Sequence, residues 1–182
     1  MVYSNSRRLL SLVDQLLLFR KTETETGKLK IGQIDIVELA KEVFSCFVHH
    51  AKIKKIDYSF SISEEKLLVY VDREKIEMTL FNLISNALKF TEKENGSVTV
   101  NLRCTDVEVI IKVIDNGEGV PDADKDKIFN LFYQSNTNIK NNRKGFGIGL
   151  YLVKQFVNEH FGEVRCYDNE NGGAIFEIKL PL

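Results

Sequence analysis

The chain has 182 residues and contains no unbroken apolar run of roughly 18, so no membrane-spanning helix is expected. Its first residues lack the charged segment and apolar core of a secretory signal. Cysteine is scarce. Cys46, Cys104 and Cys166 stand far apart, which excludes a disulfide framework or a cysteine metal cluster. Cys104 and Cys166 fall in apolar strand patterns and read as buried thiols in a reducing compartment. Neither sign of charge dominates: the formal net charge is -1, and no basic patch of adequate size is present, so no nucleic-acid partner is expected. There is no internal repeat. What is present, 43% hydrophobic and 28% charged residues, is the composition of a globular domain, and the length suits one domain plus an extra element.

Residues 7–20 read as a helix with a wide apolar face: Leu9, Leu12, Leu16 and Phe19, with Leu10, Val13 and Leu17 beside them. That width fits a bundle or dimer helix; packing on its own domain is the alternative. A polar break over 22–27 separates residues 1–26 from a domain at 27–182, whose regular pattern starts near Gln33. Residues 36–46 suit a second helix. Alternation over 56–62 and 67–71 predicts strands, and helical periodicity over 72–90 has Asp72 as a plausible N-cap. Two more strands follow, with Val98, Val100, Leu102 and Cys104 on one face, then Val107, Val109, Ile111 and Val113. After a long loop come a helix over 148–161 and strands over 163–167 and 174–180, joined by a hairpin-like turn. This order predicts an α+β fold, a two-layer α/β sandwich with helices on one face of a mixed, mostly antiparallel sheet, plus the N-terminal helix.

Four short stretches carry chemistry. In Asn82-Leu-Ile-Ser-Asn86-Ala-Leu-Lys89-Phe90, the stripe Ile76, Leu80, Leu83, Ile84 and Ala87 is the buried side of the helix. Asn82, Asn86 and Lys89 share another face. Amide oxygens are hard ligands suited to Mg²⁺ and an ammonium neutralises phosphate; a solvated polar face is the competing reading. Two mid-helix asparagines cost roughly half a kcal/mol each against alanine, which points to a use. In Asp115-Asn-Gly117-Glu-Gly119, Asp115 continues the inward strand alternation. A carboxylate there needs a donor, such as the exocyclic amine of a purine, and the glycines let backbone approach a flat ligand. A strand-end turn with an aspartate cap is the alternative.

Gly145-Phe-Gly147-Ile-Gly149-Leu150 opens a helix and can present N–H groups to phosphates. It has neither the Rossmann spacing nor a Gly-Lys-Ser/Thr ending. Lys140, Arg143 and Lys144 precede it and either steady phosphates or keep a loop soluble. Phe129-Asn-Leu-Phe132-Tyr133 offers aromatic hooks for a lid, or ordinary core packing. The connection over 120–144 is long, which favours a lid that excludes water.

In this order the four stretches resemble the catalytic and ATP-binding domain of sensor histidine kinases, within the superfamily that includes Hsp90-type chaperones. The resemblance covers residues 33–181. It implies that Asn86 ligates Mg²⁺, that Asn82 and Lys89 help hold the metal-phosphate unit, and that Asp115 binds the adenine amine. It also implies that Gly117 and Gly119 shape the base pocket, that Gly145, Gly147 and Gly149 border the phosphates, and that Phe90, Tyr133, Lys144 and Leu150 join the ATP site. Residues 5–23 resemble the second helix of the kinase dimerisation and phosphoacceptor domain, especially in hybrid sensors of Bacteroides-like bacteria. The implied partners are a histidine-bearing helix of the parent, expected upstream of this chain, a response-regulator receiver domain, and a second copy in a parent homodimer. The implied location is the cytoplasmic side of a membrane-anchored sensor. His49, His50 and His160 read as structural or solvent-facing, so no catalytic residue is assigned.

Two positions depart from the family pattern. Leu131 stands where related lids often carry a basic residue, and Phe161 follows His160 where glycine is common. The rival activity is ATP hydrolysis, which in this superfamily uses a glutamate one turn before the metal asparagine. Here that position is Asn82, an amide without useful basicity. A non-catalytic nucleotide-binding signalling module and a plain scaffold are the readings from other classes.

Overall fold

In the computed structural model, residues 29–91, 94–135 and 146–182 are described. The expected helix at 7–20, the linker at 22–27, and Lys140, Arg143, Lys144 and Gly145 lie outside them.

The element order is β1 (Ile31–Asp35), α1 (Ile36–Ile53), β2 (Asp57–Ile62), β3 (Leu68–Asp72), α2 (Arg73–Phe90), β4 (Ser97–Cys104), β5 (Glu108–Asp115), a short 3-10 turn (Asp122–Asp124), α3 (Gly149–Glu159), β6 (Glu163–Asp168) and β7 (Ala174–Pro181). Five strands form one sheet in the order β2-β4-β5-β7-β6. The β2-β4 pair is parallel and the other three pairs are antiparallel, as the mixed, mostly antiparallel pattern predicts. Alternation decides the layers. Val98, Val100 and Leu102 of β4 and Val109, Ile111 and Val113 of β5 are buried under the helices. The intervening residues turn to the opposite face, where Ser59 bonds Thr99 at 2.9 Å, Lys112 pairs with Glu177 at 2.9 Å, and Ile110 and Glu177 are themselves buried.

The stripe expected on α2 is buried: Ile76, Leu80, Leu83, Ile84 and Ala87 are each at most 1% exposed. A fully buried Leu or Ile contributes roughly 1.5–3 kcal/mol, so this stripe anchors α2 against the sheet. Asp72 is the N-cap, accepting from Lys75 N–H at 3.2 Å. Its other carboxylate oxygen accepts from Lys30 N–H at 2.8 Å, and its own N–H donates to His160 Nε2 at 2.9 Å. One buried aspartate thus joins the start of β1, the head of α2 and the tail of α3.

The structure differs from the sequence expectations in several places. A separate two-stranded ribbon pairs β1 with β3, and β1 was not expected. The first described helix runs on to Ile53, past the expected end at Cys46, because His49, His50 and Lys52 fall on its exposed side. Val107 is 71% exposed and precedes β5, since Thr105 closes a turn on Glu108. Neither expected buried thiol is fully buried: Cys104 and Cys166 are both intermediate. Partial burial still pushes the Cys166 thiol up to about 12.

Candidate functional site

The strand β5 delivers Asp115 to the end of the sheet beneath the last turns of α2. Its side chain is 4% exposed, and Oδ1 accepts from Gly117 N–H at 2.8 Å and Ala174 N–H at 3.3 Å. The backbone here is close-packed. A Cβ on Gly117 would stand 2.4 Å from Phe90 O, so only glycine lets the chain leave β5 against the end of α2.

Asp115 and Asn86 line the same cavity. Its walls are Asn86, Ala87 and Phe90 from α2, Gly119, Val120 and Ile128 from the loop after β5, Leu150 from α3, and Ala174 and Phe176 from β7. Asp115 is the one carboxylate among the described residues of this wall, set opposite apolar side chains and one amide. A flat base with an exocyclic amine suits that chemistry: apolar walls for its faces and an anionic acceptor for its amine.

The second asparagine lies further along. Asn82 is half-buried, Nδ2 donates to Met78 O at 2.9 Å, and Oδ1 lies 2.8 Å from where a Cβ of Gly149 would be. Glycine at 149 therefore lets the N-terminus of α3 close on α2. Ile148 caps that helix without a side-chain hydrogen bond. Gly147 has φ +68, and a Cβ there would meet the backbone of Phe132 at 2.5 Å. This holds the two flanks of the 136–145 segment together, with Phe132 N–H donating to Gly147 O at 2.9 Å. Lys89 places its ammonium 4.8 Å from the centre of the Phe90 ring.

The three aromatics of the lid motif separate. Phe129 is buried and meets Phe176 edge-on at 6.4 Å. Phe132 is 57% exposed at φ +63. Tyr133 donates to Asp124 Oδ1 at 2.7 Å, a bond that raises its phenol above the usual range. Leu131 packs with Phe146 and Tyr151 against Ile148, Leu152 and Phe156, so the position is spent on packing against α3.

Of the residues singled out from the sequence, Asn86, Phe90, Asp115, Gly119 and Leu150 line the cavity. Asn82, Lys89, Gly117, Tyr133, Gly147 and Gly149 are not among its lining residues, and Lys144 and Gly145 are undescribed. Ala87, assigned to the buried stripe alone, and Val120, Ile128, Ala174 and Phe176 were missed. Their apolar types carry no chemical signal; the period-two pattern of β7 alone could have flagged Phe176 as inward-facing. His160 is buried, its Nδ1 bonded to Phe156 O at 2.6 Å, and His49 and His50 are exposed at the end of α1. Among the described residues, no cluster of three or more His, Cys, Asp or Glu could hold a metal. A Mg²⁺ ion here would be held by amide and phosphate oxygens, which Asn86 on the cavity wall fits. No helix of the described residues is long and apolar enough to cross a membrane.

Comparison with known proteins gives consistent results. Residues 71–182 match the family described as histidine kinase-, DNA gyrase B-, and HSP90-like ATPase. Histidine kinase P4 of Formosa agariphila is 35% identical over all of this chain, which spans 13% of that protein. A full-length ShkA structure in complex with AMPPNP superposes with TM-score 0.85 at 28% identity, covering 98% of this chain and 36% of that one. Histidine kinase ThkA, solved with the response regulator TrrA, superposes with TM-score 0.78 at 26% identity, covering 99% and 49%.

Proposed function

The chain belongs to the histidine kinase-, DNA gyrase B-, and HSP90-like ATPase family, and we propose on that footing that it is the Mg-ATP-binding catalytic part of a sensor histidine kinase. The observation that carries this reading is the single cavity lined by both Asn86 and Asp115. Asp115 accepts from the adenine amine. Ala87, Val120, Ile128, Leu150 and Phe176 cover the base. Asn86 offers its amide oxygen to Mg²⁺, with Asn82 and Lys89 toward the phosphates. Gly117 and Gly119 shape the base end, and Tyr133, Gly145, Gly147, Gly149 and Lys144 belong to the phosphate side and lid. A bound Mg²⁺ would supply charge neutralisation for the phosphates.

Transfer to a histidine, not to water, is favoured by the side chains of α2. The turn before Asn86 carries Asn82, whose amide is engaged with Met78 O and cannot take a proton from water. The phosphoryl acceptor is a histidine on a separate helix of the parent kinase, attacking in line. His160 is unsuited, being buried and bonded through both ring nitrogens. Residues 1–26 form part of the dimerisation helix and linker, and residues 27–182 form the catalytic domain. The parent is a membrane-anchored homodimer that passes phosphate to a receiver domain, with this domain on the cytoplasmic side.

Calorimetric titration with Mg-ATP tests the binding step; saturable binding is expected, and none at millimolar nucleotide would overturn it. Adding a protein fragment that bears the histidine helix should then yield phosphohistidine. The packing of a partly buried Leu131 against the start of α3, where related lids often carry a basic residue, favours a second reading, a nucleotide-binding signalling module without transfer. Binding without phosphohistidine in the complete parent would select it.

A further inference from the structure

The β6-β7 hairpin lies behind the carboxylate that the pocket depends on, and two of its contacts are long-range and polar. Asn169 donates from Nδ2 to the backbone oxygen of Asp115 at 2.9 Å, across 54 positions of sequence. Its own N–H donates to Gly173 O at 3.2 Å and its backbone oxygen accepts from Gly172 N–H at 2.8 Å, which shapes the turn around it. The turn is pressed onto β5: a Cβ on Gly173 would stand 2.2 Å from Asp115 O and 2.6 Å from Asn116 Cα. A Cβ on Gly119, a residue of the cavity wall, would stand 3.1 Å from Gly173 O. At the hairpin's other shoulder, Lys125 Nζ donates to Asp168 Oδ2 at 2.6 Å and to Asp122 Oδ1 at 2.6 Å. Asp122 belongs to the 3-10 turn that follows Val120, a cavity residue. Lys125 is therefore a clasp between the front wall and the hairpin behind it.

We propose that Asn169 and Lys125 are positioning residues for base recognition: Asn169 fixes the main chain of Asp115, and Lys125 clasps the hairpin to the loop that covers the base. Neither lines the cavity. This rests on the reading of the cavity as an adenine site. Holding Asp115 by its backbone sets the direction of its carboxylate, so the effect falls on ligands whose exocyclic amine meets that carboxylate. A hairpin that served stability alone would move all nucleotides equally.

The test compares Mg-ATP with Mg-ITP, which lacks the exocyclic amine, on the full 182-residue chain. Dissociation constants and the unfolding midpoint without nucleotide are measured for wild type, Asn169→Ala, Lys125→Met and Lys125→Arg. Wild type should prefer ATP. Asn169→Ala should weaken ATP about tenfold and leave ITP unchanged, the size expected when one hydrogen bond is lost. Lys125→Met should move in the same direction by a smaller factor, and Lys125→Arg, which keeps both ion pairs, should restore the preference. The Lys125 side chain is 18% exposed and its partner Asp122 91%, and Lys125 lies outside the hydrophobic core, so its variants read out even where Asn169→Ala fails to fold. Equal losses for ATP and ITP, or none, overturn the proposal while leaving the adenine site intact. A wild-type chain that binds neither nucleotide overturns both.

Discussion

At the base end of the pocket, Asp115 is gripped from four directions: Gly117 N–H and Ala174 N–H on its carboxylate, Asn169 on its backbone oxygen, and β4 alongside. At the end proposed for the phosphates, α3 begins at Gly149 with no side-chain cap, and Phe132 N–H bonds Gly147 O. The contrast suits the task proposed for each end. Recognition of a rigid base gains from a preorganised acceptor, whose ordering is complete before the ligand arrives. A triphosphate needs room to enter, and uncapped N–H groups at a helix start are donors held in reserve for an anion.

Four perturbations sharpen that contrast. The largest effect is expected at Gly117→Ala, where the new methyl collides with Phe90 O and costs about 3 kcal/mol of stability, read by denaturant unfolding. Next is Asp115→Asn. The amide keeps its oxygen for Gly117 and Ala174 and turns its NH2, a donor, toward the base amine, so ATP affinity should fall by about 2 kcal/mol with little change in unfolding midpoint. At the other end, removing Mg²⁺ with EDTA should weaken ATP by about tenfold yet leave adenosine unaffected, because adenosine uses the base end alone. Titrations of both ligands with and without chelator decide it. The smallest effect is Phe161→Gly. Phe161 is 90% exposed at φ +57, a conformation that strains L-residues, so glycine should raise stability by about 1 kcal/mol without altering nucleotide affinity.

What the sequence reveals divides along the same line. Period and capping are local, so α2, its Asp72 cap and its buried stripe are legible, as are β4, β5 and the inward direction of Asp115. The ribbon strand β1 is not, because Ile31, Gly32 and Gln33 are exposed and alternate weakly. The limit of α1 is lost where polar residues continue a helix on its wet side. In the pocket, Asn86 and Asp115 announce themselves by polar chemistry in apolar surroundings. Ile128, Ala174 and Phe176 do not, since an apolar wall and an apolar core use the same residues. Asn169 reads as a turn former, and its bond to Asp115 exists only after 54 positions of chain have folded back.

The most direct test of the central claim follows the side-chain amide of Asn86 and the backbone amide of Gly117 by NMR as Mg-ATP is added. Both signals should shift along saturation curves with one dissociation constant. If one moves and the other stays, or the two saturate at different concentrations, the amide and the carboxylate serve separate sites and a shared nucleotide pocket is contradicted.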